Sequence, residues 1–175
     1  LFNGYKELKK VWKELKQHKQ LAKFLSAFFV YNMGVQTVML IATLFGSKEL
    51  GLESSQLIIV VLVIQFVAII GAYLFSYMSG KRGNIFTLKA AVIIWVGVCI
   101  TAYFVYTATD FYIIAAIVGL VMGGIQSLSR STYSKMLPET EDHASYFSFY
   151  DVTEKLCIVC GMALFGIIEQ ISESM

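Results

Sequence analysis

Five long apolar runs divide the chain, each broken only by isolated polar residues. They cover 21–45, 56–78, 88–106, 111–135 and 144–171. A hydrocarbon core of about 30 Å needs roughly 20 apolar residues in a helix. Each run is therefore predicted to be a membrane-spanning helix. Pro138 ends the fourth, because proline cannot continue an α-helix. Ahead of the runs, Tyr5, Leu8, Trp12 and Leu15 recur at three- and four-residue steps. This is the spacing of one helical face, and Lys6, Lys9, Lys10, Lys13 and Lys16 lie among them. Residues 1–20 are expected to form a basic amphipathic helix on the membrane surface, with 21–175 the transmembrane bundle. The predicted class is an all-α membrane protein, five spans preceded by an amphipathic helix.

Composition removes the soluble alternative. Hydrophobic residues make up 57% of the chain and charged residues 15%, with a mean hydropathy of +0.68. Counting glycine with them brings the apolar share to about 65%, against about 45–50% for soluble domains. A net charge of +2 gives no basic footprint for nucleic acid. Where the cations sit is more informative. Lysines and arginines number seven in the amino-terminal segment, three in the second connection and two in the fourth, against one in the first and third together. The positive-inside rule then places the amino terminus in the cytoplasm and the end of the fifth span away from it. The chain starts without an initiator methionine, and five spans are an odd number. Both features read as a fragment of a longer protein.

Chemistry is confined to a few polar positions inside the runs. In hydrocarbon a polar side chain must find a partner or line a wet cavity. Asn32 and Gln36 share a helical face of the first span, with Thr37 beside them, and Gln65 lies mid-way along the second. In the fourth span Gln126 and Arg130 step by four, while Gly119, Gly123 and Ser127 form a groove of small side chains. Gly-x-x-x-Gly is a close-packing motif of membrane helices. In the fifth span Asp151 and Lys155 are four apart, with Glu154 about 100° round the helix from Lys155. One reading is local neutralisation, Asp151 pairing with Lys155 so that the helix inserts. The other is a gate or coupling site whose pair breaks and reforms, with Arg130 meeting Asp151 or Glu154. On sequence alone both stand. Asn32, Gln36, Thr37, Gln65 and Gln126 are the candidates for lining a solute path, and Arg130, Asp151, Glu154 and Lys155 for gating or coupling.

Cys157-x-x-Cys160 has no second half-site and no nearby histidine, and reads as small buried apolar residues. No metal cluster, phosphate loop or nucleophile–histidine pairing is visible, so no enzyme, cofactor or metal is expected. One function these residues allow is a polar path for a small-molecule substrate across a lipid bilayer. The rival is a non-transporting helical module, serving assembly or as a receptor subunit, whose polar residues only hold helices together.

Several stretches carry a family resemblance. Gly123-Gly124-Ile125-Gln126-Ser127-Leu128-Ser129-Arg130-Ser131, Leu137-Pro138, Tyr146-Phe147-Ser148-Phe149-Tyr150 and Lys155 resemble the tenth and eleventh helices of the autophagy-type vacuolar amino-acid effluxers. That branch of the major facilitator superfamily includes bacterial members. Tyr31 to Thr37 and Ala42 to Gly46 resemble its seventh helix, and Gly71 to Gly83 the superfamily's loop after the eighth. The chain departs at Met33, where the family often has an acid, and at Gly80-Lys81, where the loop usually has an acid followed by arginine. The resemblance implies the carboxyl-terminal half of such a transporter, lacking its last helix. It further implies amino acids or similar small solutes as cargo, alternating access, a bacterial inner membrane, and a missing amino-terminal six-helix half as partner.

Overall fold

The computed structural model describes residues 11, 12, 14, 18–138 and 143–172. Five helices account for nearly all of them: α1 (Lys19–Lys48), α2 (Ser54–Arg82), α3 (Asn84–Ala102), α4 (Ala108–Met136) and α5 (His143–Ser172). No strand occurs among the described residues. By length and apolarity α1 to α4 each suffice to cross a membrane. α5 has the same 30 residues as α1 and carries Asp151, Glu154 and Lys155 in its first half. Much of the apolar surface points outward, Ile69 being 67% and Ile93 72% exposed. In water such a surface would be an aggregation site, whereas lipid tails solvate it.

The connections explain where the helices stop. Between α1 and α2, Gly51 has φ 61°, and the Leu52 N–H donates to the Gly46 carbonyl at 3.0 Å. Gln56 then caps α2, its Oε1 accepting from the Glu53 N–H at 3.0 Å. Between α2 and α3 a single residue suffices. Gly83 takes φ 85°, open to glycine at no steric cost, and its N–H bonds the Ser79 carbonyl at 2.8 Å. Thr107 opens α4. It receives the Asp110 N–H on its hydroxyl at 3.2 Å, while the Asp110 carboxylate accepts from the Thr107 N–H at 3.2 Å and its hydroxyl at 2.7 Å. This is a reciprocal cap of the S/T-x-x-E kind with aspartate in the acidic place.

The third span lies at 84–102, four residues earlier than 88–106. The chain leaves the helix through short i→i+3 bonds, Phe104 to Thr101 at 3.0 Å and Val105 to Ala102 at 3.2 Å. Tyr103 to Tyr106 extend the apolar run without extending the helix. The amphipathic segment expected over 1–20 lies largely outside the described residues. Val11, Trp12 and Glu14 are helical; Val11 is buried and Trp12 exposed.

Two compact units emerge. The first joins 1–38 to 133–175, and the second is 39–132. In the first, Leu21, Leu25, Phe28, Tyr133, Tyr146 and Tyr150 form the core. The Phe28 and Tyr150 rings stack at 4.5 Å, and Tyr133 lies 4.9 Å from Tyr150. The buried Tyr133 hydroxyl donates to the Tyr146 carbonyl at 2.7 Å, and the Tyr146 hydroxyl to Glu14 Oε2 at 2.7 Å. Tyr133 and Tyr146 thus keep their polar ends satisfied. In the second unit Val60, Ile64, Phe111 and Ala115 centre the core. There α4 packs on α2 backbone to backbone. A Cβ at Gly119 would lie 2.5 Å from the Ile64 carbonyl oxygen, and one at Gly123 would run into that of Ala68. Gly71 on α2 meets the Leu120 carbonyl in the same way.

Candidate functional site

A line of polar side chains on α1 faces α5 inside the first unit. Asn32 and Gln36 are one helical turn apart, so both point to the same side. On α5, Glu154, Cys157 and Gly161 follow at steps of three and four, and form the matching side. Gln36 Nε2 donates to Glu154 Oε1 at 3.1 Å, joining residues 118 apart in sequence. One turn along, the Cys157 thiol donates to the Phe29 carbonyl at 3.5 Å. Its polar neighbours are Asn32, Cys160 and Glu154. Beyond it Gly161 has no side chain, and a Cβ there would run into the Thr37 hydroxyl. That hydroxyl donates to the Met33 carbonyl at 2.7 Å, so it is spent within its own helix. The small residue on α5 therefore lets the polar face of α1 approach closely.

Two features of this patch are unbalanced. Asn32 is only 2% exposed, and its Nδ2 has no hydrogen-bond partner among the described residues. Leaving a buried donor unpaired costs about 1–3 kcal/mol. Glu154 is half-buried and bonded to a neutral amide. Lys155 is exposed, and among the described residues no ion pair joins it to Asp151. Local neutralisation within the helix is therefore not the arrangement seen. Asp151 is half-buried.

The other candidates fall elsewhere. Gln65 is exposed on α2, and Gln126 and Arg130 are exposed on α4. Ser127 is half-buried with its hydroxyl on the Gly124 carbonyl at 3.2 Å. Cys157 is buried and Cys160 half-buried, both as free thiols. No group of histidine, cysteine and acidic side chains among the described residues is placed to hold a metal.

A recess of about 590 Å³ also opens in the first unit, beside Trp12, Leu25, Phe29, Phe149, Val152 and Leu156. Its two hydroxyls are already used. Ser26 bonds the Ala22 carbonyl at 3.0 Å and Thr153 the Phe149 carbonyl at 2.8 Å. Both hydroxyl protons are thus spent within their own helices and the rest of the lining is almost wholly apolar, so the α1–α5 line is the stronger candidate for a polar solute.

In the second unit a separate network was not foreseen from the sequence. Ser79 Oγ donates to Asn84 Oδ1 at 2.8 Å, and Asn84 Nδ2 donates to Ser131 Oγ at 2.9 Å. It fastens the α2–α3 turn to the far end of α4. The chain places neutral groups here, next to the Gly80-Lys81 stretch. Asn84 directly after Gly83 was its one visible signal, since asparagine at a helix start is usually a cap.

Comparison with known proteins gives a consistent picture. The chain matches the family model described as "Vacuole effluxer Atg22 like" over residues 1–175. It is 37% identical over 177 residues to the MFS-type transporter YxiO of Bacillus subtilis (strain 168), covering 98% of this chain and 40% of that protein. It is 30% identical over 174 residues to autophagy-related protein 22 of Yarrowia lipolytica, covering 94% of this chain and 29% of that one. The chain thus spans well under half the length of these relatives. The Bacillus relative is a transporter by name, and the family is described as one of effluxers, not of enzymes. No solved structure matches.

Proposed function

Since the chain belongs to the Atg22-like vacuole effluxer family, we propose that it forms part of a secondary transporter that moves small solutes by alternating access. The cargo in this reading is an amino acid or a solute like it. The observation that carries it is the Gln36–Glu154 hydrogen bond, which puts a carboxylate and an amide between two membrane-length helices. Ionisable residues within membrane helices are expensive and mark solute or ion pathways. Asn32, Gln36 and Thr37 then line the path from α1 and Glu154 from α5. Gln65 and Gln126, exposed here, are further lining candidates for a path completed by an amino-terminal six-helix half, and Arg130, Asp151 and Lys155 are the gating or coupling candidates beside Glu154. Lysine and arginine counts support a cytoplasmic amino terminus, and the likeness to the Bacillus protein supports a bacterial cell membrane.

The test is transport by the complete protein in proteoliposomes. Loaded with a mixture of unlabelled L-amino acids, the vesicles are expected to exchange labelled amino acids well above protein-free vesicles. Exchange at the protein-free level would count against this reading.

A further inference from the structure

Among the described residues, the Glu154 carboxylate of the α1–α5 patch has no ion-pair partner. It accepts a hydrogen bond from Gln36. An amide dipole orients a carboxylate without neutralising it. Lys155 follows in sequence, yet its side chain is exposed and lies about 100° round the helix. A carboxylate held between membrane helices calls for a cation or a proton.

A second, independent group points to what fills the patch. Asn32 is 2% exposed and its Nδ2 lacks an acceptor. It lies four residues before Gln36, about 6 Å along the helix axis at 1.5 Å per residue. Asn32 of α1 lies beside the Cys157 thiol, and Glu154 sits about one turn before Cys157 on α5, so both border one stretch of the α1–α5 contact. The patch thus offers an anionic acceptor at one end and, at the other, a buried amide N–H with only the weakly accepting Cys157 thiol beside it. A proton on Glu154 would settle the charge and leave Asn32 unpaired. A small solute carrying an ammonium group and, a few ångströms away, an acceptor oxygen would satisfy both.

Resting on the transport reading above, we infer that Glu154 binds the ammonium group of the solute, while the Asn32 amide takes its acceptor oxygen. Glu154 is then a specificity-determining residue that separates ammonium-bearing solutes from their hydroxyl counterparts. Gln36 positions the carboxylate, and Gly161 lets the two helices close around it.

The test uses the complete transporter in proteoliposomes, with labelled neutral L-amino acids as cargo and the matching 2-hydroxy acids as competitors. In the wild type unlabelled amino acids compete and the hydroxy acids do not. Glu154→Gln keeps the hydrogen bond to Gln36 and removes the charge. It is expected to weaken amino-acid competition about tenfold, the worth of one charge-assisted bond, and to erase the preference over hydroxy acids. Glu154→Asp is expected to retain part of the preference. Membrane abundance and melting temperature of each variant are measured alongside. If folded Glu154→Gln keeps wild-type competition and preference, the assignment is overturned and the transport reading survives. If the wild type exchanges no amino acid at all, both fall together.

Discussion

The two units of this chain hold their helices together by opposite means. In the second unit α2 and α4 meet through missing side chains. Gly71, Gly119 and Gly123 bring backbones into contact, and no side-chain hydrogen bond is needed at that crossing. In the first unit α1 and α5 meet through polar groups, Gln36 on Glu154 and Cys157 on the Phe29 carbonyl, beneath a tyrosine core. Lipid tails are as apolar as leucine, so burial alone gives membrane helices little reason to associate. Close packing answers that with shape, and tolerates almost no added volume. Polar contacts answer it with fewer, stronger and replaceable interactions. A site that must accept and release a solute needs the second kind.

Substitutions break this comparison at different depths. The largest effect is expected from Gly123→Leu, whose side chain would begin inside the Ala68 carbonyl. Overpacking against backbone costs roughly 3 kcal/mol or more. The variant should lose its monodisperse peak in detergent chromatography, and a wild-type profile would remove the shape argument. Next comes Asn84→Ala, which deletes both bonds of the Ser79–Asn84–Ser131 network. Two neutral hydrogen bonds are worth about 1–3 kcal/mol together. A clear fall in melting temperature is expected, and an unchanged one would make the network ornamental.

Tyr133→Phe removes a single buried bond to the Tyr146 carbonyl and leaves the ring stack in place. A loss of about 1 kcal/mol is expected, read as a small drop in melting temperature. A loss as large as that of Gly123→Leu would mean the polar contacts of the first unit carry the fold. The smallest structural effect belongs to Lys155→Ala, since that side chain is exposed and unpaired with Asp151. Membrane insertion should be unchanged while transport by the complete protein falls. Wild-type uptake would take Lys155 out of the mechanism.

Helix positions were legible because the bilayer imposes them. Runs such as 56–78 admit one reading, and α2 occupies 54–82 around it. The boundary failed where hydropathy and helix ending part company, at Tyr103 to Tyr106. The four-residue step of Gly119 and Gly123 is local and shows in one helix's own sequence. Side-chain partners are not local. Gln36 and Glu154 are 118 residues apart, and Asn84 and Ser131 are 47 apart. Nothing in either segment names the other. Gln65 and Gln126 make the same point in reverse, since a neutral amide fits a lining or an outer face equally, and both are exposed here. Gly161 was invisible as a site residue, because its role is to leave room for Thr37.

The most direct test of the α1–α5 contact as the working site is a double-mutant cycle on transport. Uptake by the complete protein is compared for Gln36→Ala, Glu154→Ala and the pair, each checked for membrane abundance. Groups that act as one unit are non-additive. The account predicts that each single change lowers uptake strongly and that the double variant loses little more than Glu154→Ala alone. Additive losses, or uptake near wild type in either single variant, would contradict it.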